Sequence, residues 1–313
     1  MGHGTKGGIA PVAALVASLA TVLIRAAPAD ADSTPTNPVV LPFELRRGHV
    51  MVPARATNET SVALSLLLDT GYSMTMLHPE HVASLGLKRA GRITIVGIAG
   101  EEPAAVFEGP VFDFSGATWR PRRVAAFPDG AQGRGRRRDG ILGSGFFRRF
   151  VVEIDSTRKQ LRLHEPNTYH FEGGGEVLPF HFSGNTPVIE ATVRLADNSE
   201  VAASLEVDTG CDSCVCLGQH FVAAHQLAPT NAPGTDVGGA NRFGVGGGAR
   251  TRTTHLPQLR LGKLAIDKPE VNLFLEGSPV DPPLAGHIGW ELLQKFTVIL
   301  DYQRRQLILQ PPK

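Results

Sequence analysis

Charge is scarce in this chain and nearly balanced. Only 19% of its 313 residues are charged, and 31 basic against 30 acidic side chains leave a formal charge of +1. So neutral a chain has no field with which to hold a polyanion non-specifically, so no nucleic-acid partner is expected. Cysteine is also sparse: three thiols cannot build a disulfide scaffold in any compartment. Neither His-Glu-x-x-His nor Gly-x-Ser-x-Gly occurs, so metallopeptidase and serine-hydrolase chemistry lack their usual local signatures. No apolar run reaches the roughly 20 residues that span a bilayer.

Glycine and proline are what the chain has in excess. Its 35 glycines and 23 prolines exceed average usage, which is roughly 12% for the two together. Both disrupt helix interiors, so a helical bundle or coiled coil is excluded and a turn-rich β-protein is expected. The hydrophobic fraction of 42% is too high for wholesale disorder.

The N-terminus reads as a targeting segment. Lys6 precedes an apolar run from Ile9 to Ile24, and Ala29-Asp30-Ala31 supplies an Ala-x-Ala ending. Residues 1–31 are therefore expected to be a signal peptide, cleaved after Ala31, with residues 32–39 as a linker. The protein would be secreted or periplasmic. The alternative is an uncleaved anchor holding an extracytoplasmic catalytic domain at the membrane, since Arg25 directly after the run is unusual in a signal peptide.

The remainder repeats itself once. Val40-Leu41-Pro42-Phe43 recurs as Val177-Leu178-Pro179-Phe180, and Leu68-Asp69-Thr70-Gly71 as Val207-Asp208-Thr209-Gly210. Gly140-Ile141-Leu142-Gly143 recurs as Gly286-His287-Ile288-Gly289, and Phe150–Asp155 as Phe296–Asp301. Pro110–Phe114 likewise matches Pro257–Leu261; the order is kept while the offset drifts only from 137 to 147, so the chain is two copies of one unit. The first copy is taken as residues 40–168 and the second as 169–313. Within each, short strands dominate. Helices are expected at Pro79–Leu87, Gln219–Leu227, Phe146–Phe150 and Glu291–Phe296, and hairpin turns at Asp155–Lys159 and Asp301–Arg305.

Asp-Thr-Gly occurs at the end of an apolar strand in both copies. A buried Asp is costly unless something holds its charge. Glycine allows close backbone approach or positive φ, and a Thr hydroxyl both donates and accepts, so it can tie one loop to another. Two such units related by a pseudo-twofold would aim two carboxylates at one point. Like charges there cannot both ionise, so one proton is shared. A water between them meets a base and an acid together, which suits hydrolysis without a covalent nucleophile.

In these features the chain resembles the aspartic peptidases across about residues 40–313. Leu67-Leu68-Asp69-Thr70-Gly71-Tyr72-Ser73-Met74-Thr75-Met76-Leu77, followed by Leu85-Gly86-Leu87, is similar to the retropepsin-like branch, while two units in one chain resemble the pepsin-like enzymes. The resemblance implies an all-β, two-lobed fold with pseudo-twofold-related β-barrel lobes and short helices. It implies a monomeric endopeptidase acting on peptide or protein substrates, without cofactor or metal. Asp69 and Asp208 would be catalytic; Thr70, Gly71, Thr209 and Gly210 would support the loops. Gly97, Ile98, Ala99 and Gly100 would form one flap, and Gly246 and Gly247 another, with Val237-Gly238-Gly239 as a rival. Tyr72, Cys211 and His287 depart from the family pattern and bear on pH optimum and substrate preference. A catalytically inactive peptide-binding protein on the same scaffold is the alternative.

Two other patterns are weaker. Cys211, Cys214 and Cys216, with His220 and His225 downstream, carry zinc-type ligands but lack a second knuckle. Core packing is the preferred reading, with Cys214 and Cys216 on one face of a strand. Gly244-Val-Gly246-Gly-Gly-Ala249 matches a dinucleotide fingerprint but precedes a β-segment rather than a helix.

Overall fold

A computed structural model describes residue 1 and residues 37–97, 100–128, 138–228, 237–244, 247–276 and 280–312. The expected signal peptide, save its first residue, most of the linker, and Ile98, Ala99 and Gly246 lie outside these residues. Among the described residues no helix is long and apolar enough to cross a membrane.

The strands form three sheets, and two of them repeat one topology. In the first, the strand Ser61–Leu68 lies between His49–Thr57, antiparallel, and Gly140–Leu142, parallel. In the second, Glu200–Val207 lies in the same way between Thr186–Arg194 and Gly286–Ile288. Both central strands become buried toward their ends, as their apolar residues require, and each runs directly into an Asp-Thr-Gly turn. Two hairpins, Arg89–Gly97 with Gly100–Glu108 and Val237–Gly244 with Gly247–His255, extend the far ends of these sheets. Gly97 pairs with Gly100 and Gly244 with Gly247, so both glycine clusters lie at hairpin tips. Val237-Gly238-Gly239 lies instead in the hairpin's first strand.

The third sheet has six strands, three from each copy. Its central pair is Val151–Asp155 against Thr297–Asp301, flanked by Gln160–His164 and Gln306–Gln310. The expected hairpin turns join these strands. Asp155 and Asp301 accept the backbone N–H of Arg158 and Arg304 at 2.9 Å in both cases, and Lys159 and Arg305 adopt left-handed φ of 52° and 55°.

The helices are shorter than expected or begin earlier. Pro79–Ser84 and Gln219–Ala224 stop where Gly86 and Gln226 take left-handed φ of 63° and 52°. Ser144–Arg149 and Trp290–Leu293 start directly after the extended Gly143 and Gly289. They bury Phe146, Phe147, Trp290, Leu292 and Leu293 in the main apolar core, which is continuous across both copies.

Candidate active site

The two Asp-Thr-Gly turns meet, and the threonines interlock them. The Thr70 hydroxyl donates to the Val207 carbonyl at 2.5 Å, and the Thr209 hydroxyl to the Leu68 carbonyl at 3.0 Å. Each hydroxyl also accepts the other threonine's backbone N–H, at 2.9 and 3.1 Å. Both threonines are wholly buried. This reciprocal set leaves no conformational slack, because every buried donor in it is used.

The strand geometry then fixes the carboxylates. Asp69 N–H donates to Leu142 O at 3.1 Å, and Asp208 N–H to Ile288 O at 2.9 Å, so each turn is tied to its neighbouring apolar-apolar-Gly segment. Each Asp accepts the N–H of the glycine two residues on, Gly71 or Gly210, at 2.9 Å. The two carboxyl groups converge: a Cβ placed on Gly71 would lie within 3.2 Å of an oxygen of each. The glycines are required by close approach rather than by left-handed backbone. A Cβ on Gly71 would come within 2.9 Å of Asp208 Oδ1, and one on Gly210 would overlap the Asp69 carboxyl. Behind the turns, Ser144 N–H donates to Tyr72 O at 2.8 Å and Trp290 N–H to Cys211 O at 2.7 Å.

Burial pushes Asp69 well above the usual carboxylate range, and the Asp208 charge pushes it further. Burial also raises Asp208; the His287 charge opposes it and the Cys211 charge adds to it. The pair therefore holds a proton that isolated carboxylates would lose.

A second cluster adjoins Asp208. His287 Nε2 lies 3.2 Å from Cys211 Sγ, and the thiol of Cys216 completes a group whose ligand atoms all fall within 4.8 Å of one another. The Cys216 S–H bond and the His287 charge hold the Cys211 thiol well below its ordinary value. Burial disfavours a charged His287, yet Cys211, Asp208 and Glu206 outweigh it and push the imidazole up to about 9. Burial pushes Glu206 up to about 7. Cys211, Cys216 and His287 are residues of the type that can hold a metal.

Cys214 and Cys216 are buried, as core packing predicts, but the imidazole beside the thiols is not one of those nearest in sequence. His220 and His225 take no part in the cluster, whereas His287 arrives from a strand far along the chain. Cys214 and Cys216 do not share a face either. Cys214 sits in the bend before the strand Val215–Leu217, where alternation has not begun, and packs with Val215 and Leu217 in the main core. Cys216 faces Cys211, Ala249 and Phe274. Glu206 was missed, although the repeat offset aligns it with Leu67 and offered a signal.

The family model described as Aspartyl protease matches residues 52–146, a span that holds Asp69-Thr70-Gly71 and Ile141-Leu142-Gly143. Among solved structures, the crystal structure of an aspartic proteinase from Irpex lacteus shares 12% identity at a TM-score of 0.57. That match covers 88% of this chain and 98% of the other. No curated protein matches the sequence. The matched family and the fold are both those of aspartic peptidases of the pepsin-like and retropepsin-like type, and they support a peptidase.

Proposed function

We propose that this protein is an exported aspartic endopeptidase in which Asp69 and Asp208 activate one water between the two lobes. The observation that carries the reading is the interlocked pair of Asp-Thr-Gly turns, which brings the two carboxyls together. Asp208, ionised, takes a proton from the water. Asp69, protonated, gives its proton to the scissile carbonyl oxygen as the water oxygen adds to the carbon. The tetrahedral diol then collapses: Asp208 returns its proton to the departing amine, and Asp69 recovers one from a diol hydroxyl. Both steps require fixed geometry rather than a mobile nucleophile, which the threonine lock supplies. The two glycine-tipped hairpins are suited to close over a bound peptide.

Hydrolysis of a mixed peptide library across acid to neutral pH tests the reading. Asp69→Asn and Asp208→Asn are each expected to lower kcat by at least about 100-fold, the scale of a lost general acid or base. Undiminished cleavage by either variant would overturn the assignment. Peptide binding by the wild type without any cleavage would favour the inactive binding protein. Export, motivated by the apolar run ending at Ala31, predicts that N-terminal sequencing of the extracytoplasmic protein begins at Asp32; an intact Met1 would contradict cleavage.

A further inference from the structure

The internal duplication provides a control within the molecule, because each position in one lobe shows what the fold needs at its equivalent in the other. In the first lobe a row of residues crosses five strands: Met51 faces Leu67, Leu67 faces Ile141, Ile141 faces Met76, and Met76 faces Ala125. These five form an apolar cluster, with Tyr72 packed against it. The corresponding row in the second lobe is Val188, Glu206, His287, Cys216 and Asn272, joined by the same pairings. Cys211 stands where Tyr72 stands. The fold is therefore satisfied by hydrocarbon along this row, and the second lobe has replaced four of the five residues: Glu206, His287 and Cys216 can bind protons or metals, and Asn272 is polar.

We propose that Cys211, Cys216 and His287 form a site for a soft or borderline d¹⁰ cation, with Zn²⁺ the best match. This goes beyond the peptidase reading and does not depend on it. Direct cross-strand pairing puts Cys216 and His287 on one face of the sheet, since residues opposite each other in an antiparallel pair point the same way. Cys211 reaches the same point from the turn, held by the bond from Trp290 N–H to its carbonyl. Around tetrahedral zinc, bonds of about 2.3 Å to sulfur and 2.0–2.1 Å to nitrogen set ligand atoms about 3.5–3.8 Å apart. The Cys211–His287 separation of 3.2 Å and the 4.8 Å limit on the whole group bracket that spacing, so small side-chain rotations suffice. Two thiols and an imidazole favour zinc over the hard, oxygen-seeking cations. Three protein ligands leave a fourth position open, on the side where Cys211 is half-buried.

His287 presents Nε2 to the thiols and leaves its other ring nitrogen available to an outer partner. It is 5% exposed, and its Nδ1 has no hydrogen-bond partner. A ligating histidine donates its other ring N–H to a nearby acceptor, and the Glu206 side chain is the directly paired neighbour on the adjoining strand.

Co²⁺ titration of the reduced, chelator-treated full chain under anaerobic conditions tests the proposal. The expected result is one equivalent bound per chain, with an intense thiolate-to-cobalt charge-transfer band that Zn²⁺ abolishes by displacement. Cys216→Ser and His287→Ile are each expected to weaken binding at least about 10-fold, the loss that even an outer-shell partner can cause. The second substitution installs the residue type that the first lobe carries at Ile141, so the fold tolerates it. Cys214→Ser, on the opposite face, is expected to bind like the wild type. The proposal is overturned if the reduced wild type gives no charge-transfer band, if it yields only a Cys211–Cys216 disulfide, if His287→Ile binds Co²⁺ as tightly as the wild type, or if Cys214→Ser weakens binding equally.

Discussion

Asp69 carries an energetic cost. Its folded-state pKa lies well above the ordinary 3.8, so the folded chain binds a proton that the unfolded chain releases. The stability this provides is fully present below about pH 3.8 and is lost as pH rises through the raised value. Asp69→Asn removes the charge, keeps the oxygen that accepts from Gly71 N–H, and is neutral at every pH. The variant is expected to unfold at a higher temperature than the wild type near pH 7, by about 2 °C or more for each kcal/mol relieved in a chain of this size. Thermal scans at pH 7 and pH 3 check the sign, since the advantage should shrink at the lower pH. A variant less stable than the wild type at pH 7 would mean that the buried carboxyl is not a stability cost. The aspartates were fully legible in sequence because a short motif repeated in order is a local pattern. Glu206 was not, because its burial depends on a neighbouring strand from far along the chain.

Each Asp-Thr-Gly turn rests on a short helix that follows its apolar-apolar-Gly strand. In the first lobe that helix is Ser144–Arg149, and Phe146 is its anchor. The Phe146 ring packs against Phe114 at 5.0 Å, Phe150 at 5.3 Å and Trp119 at 6.1 Å between centroids, and it is wholly buried. Phe146→Ala should cost about 3–5 kcal/mol, the usual price of deleting a buried aromatic ring, measurable as a lower denaturant midpoint at unchanged slope. Catalysis should fall with it, because Ser144 N–H and hydroxyl hold the carbonyls of Tyr72 and Ser73 behind the turn. The helices were visible in sequence as stretches that recur at equivalent places in the two copies. Their ends were less so, because Gly143 and Gly289 start them through backbone conformation, which the side-chain pattern does not record.

At the scale of the molecule, the six-stranded sheet binds the two copies through their closing strands. Val152, Ile154, Val298 and Leu300 from its central pair are wholly buried in the core shared by both copies. Tyr302, from the turn after Thr297–Asp301, stacks on Phe147 of the first copy at 5.3 Å with an interplanar angle of 18°, and also meets Phe180 at 5.6 Å. A core this continuous should not melt in halves. Calorimetry is expected to show one transition, with calorimetric and van't Hoff enthalpies in agreement. Two resolved transitions would show that the lobes are energetically separate.

The sequence by itself determined the duplication, the β-class, the Asp-Thr-Gly pair and the hairpin turns, because each is written in the order, spacing or local backbone chemistry of nearby residues. Tertiary structure alone decided that His287 rather than His220 or His225 faces the thiols, and that Cys214 and Cys216 part company at a bend. It also decided that the glycines serve close approach rather than left-handed turns. Those outcomes depend on which strands become neighbours and in what register. Register is set by how whole sheets bury their apolar faces, and no short window of sequence contains that information.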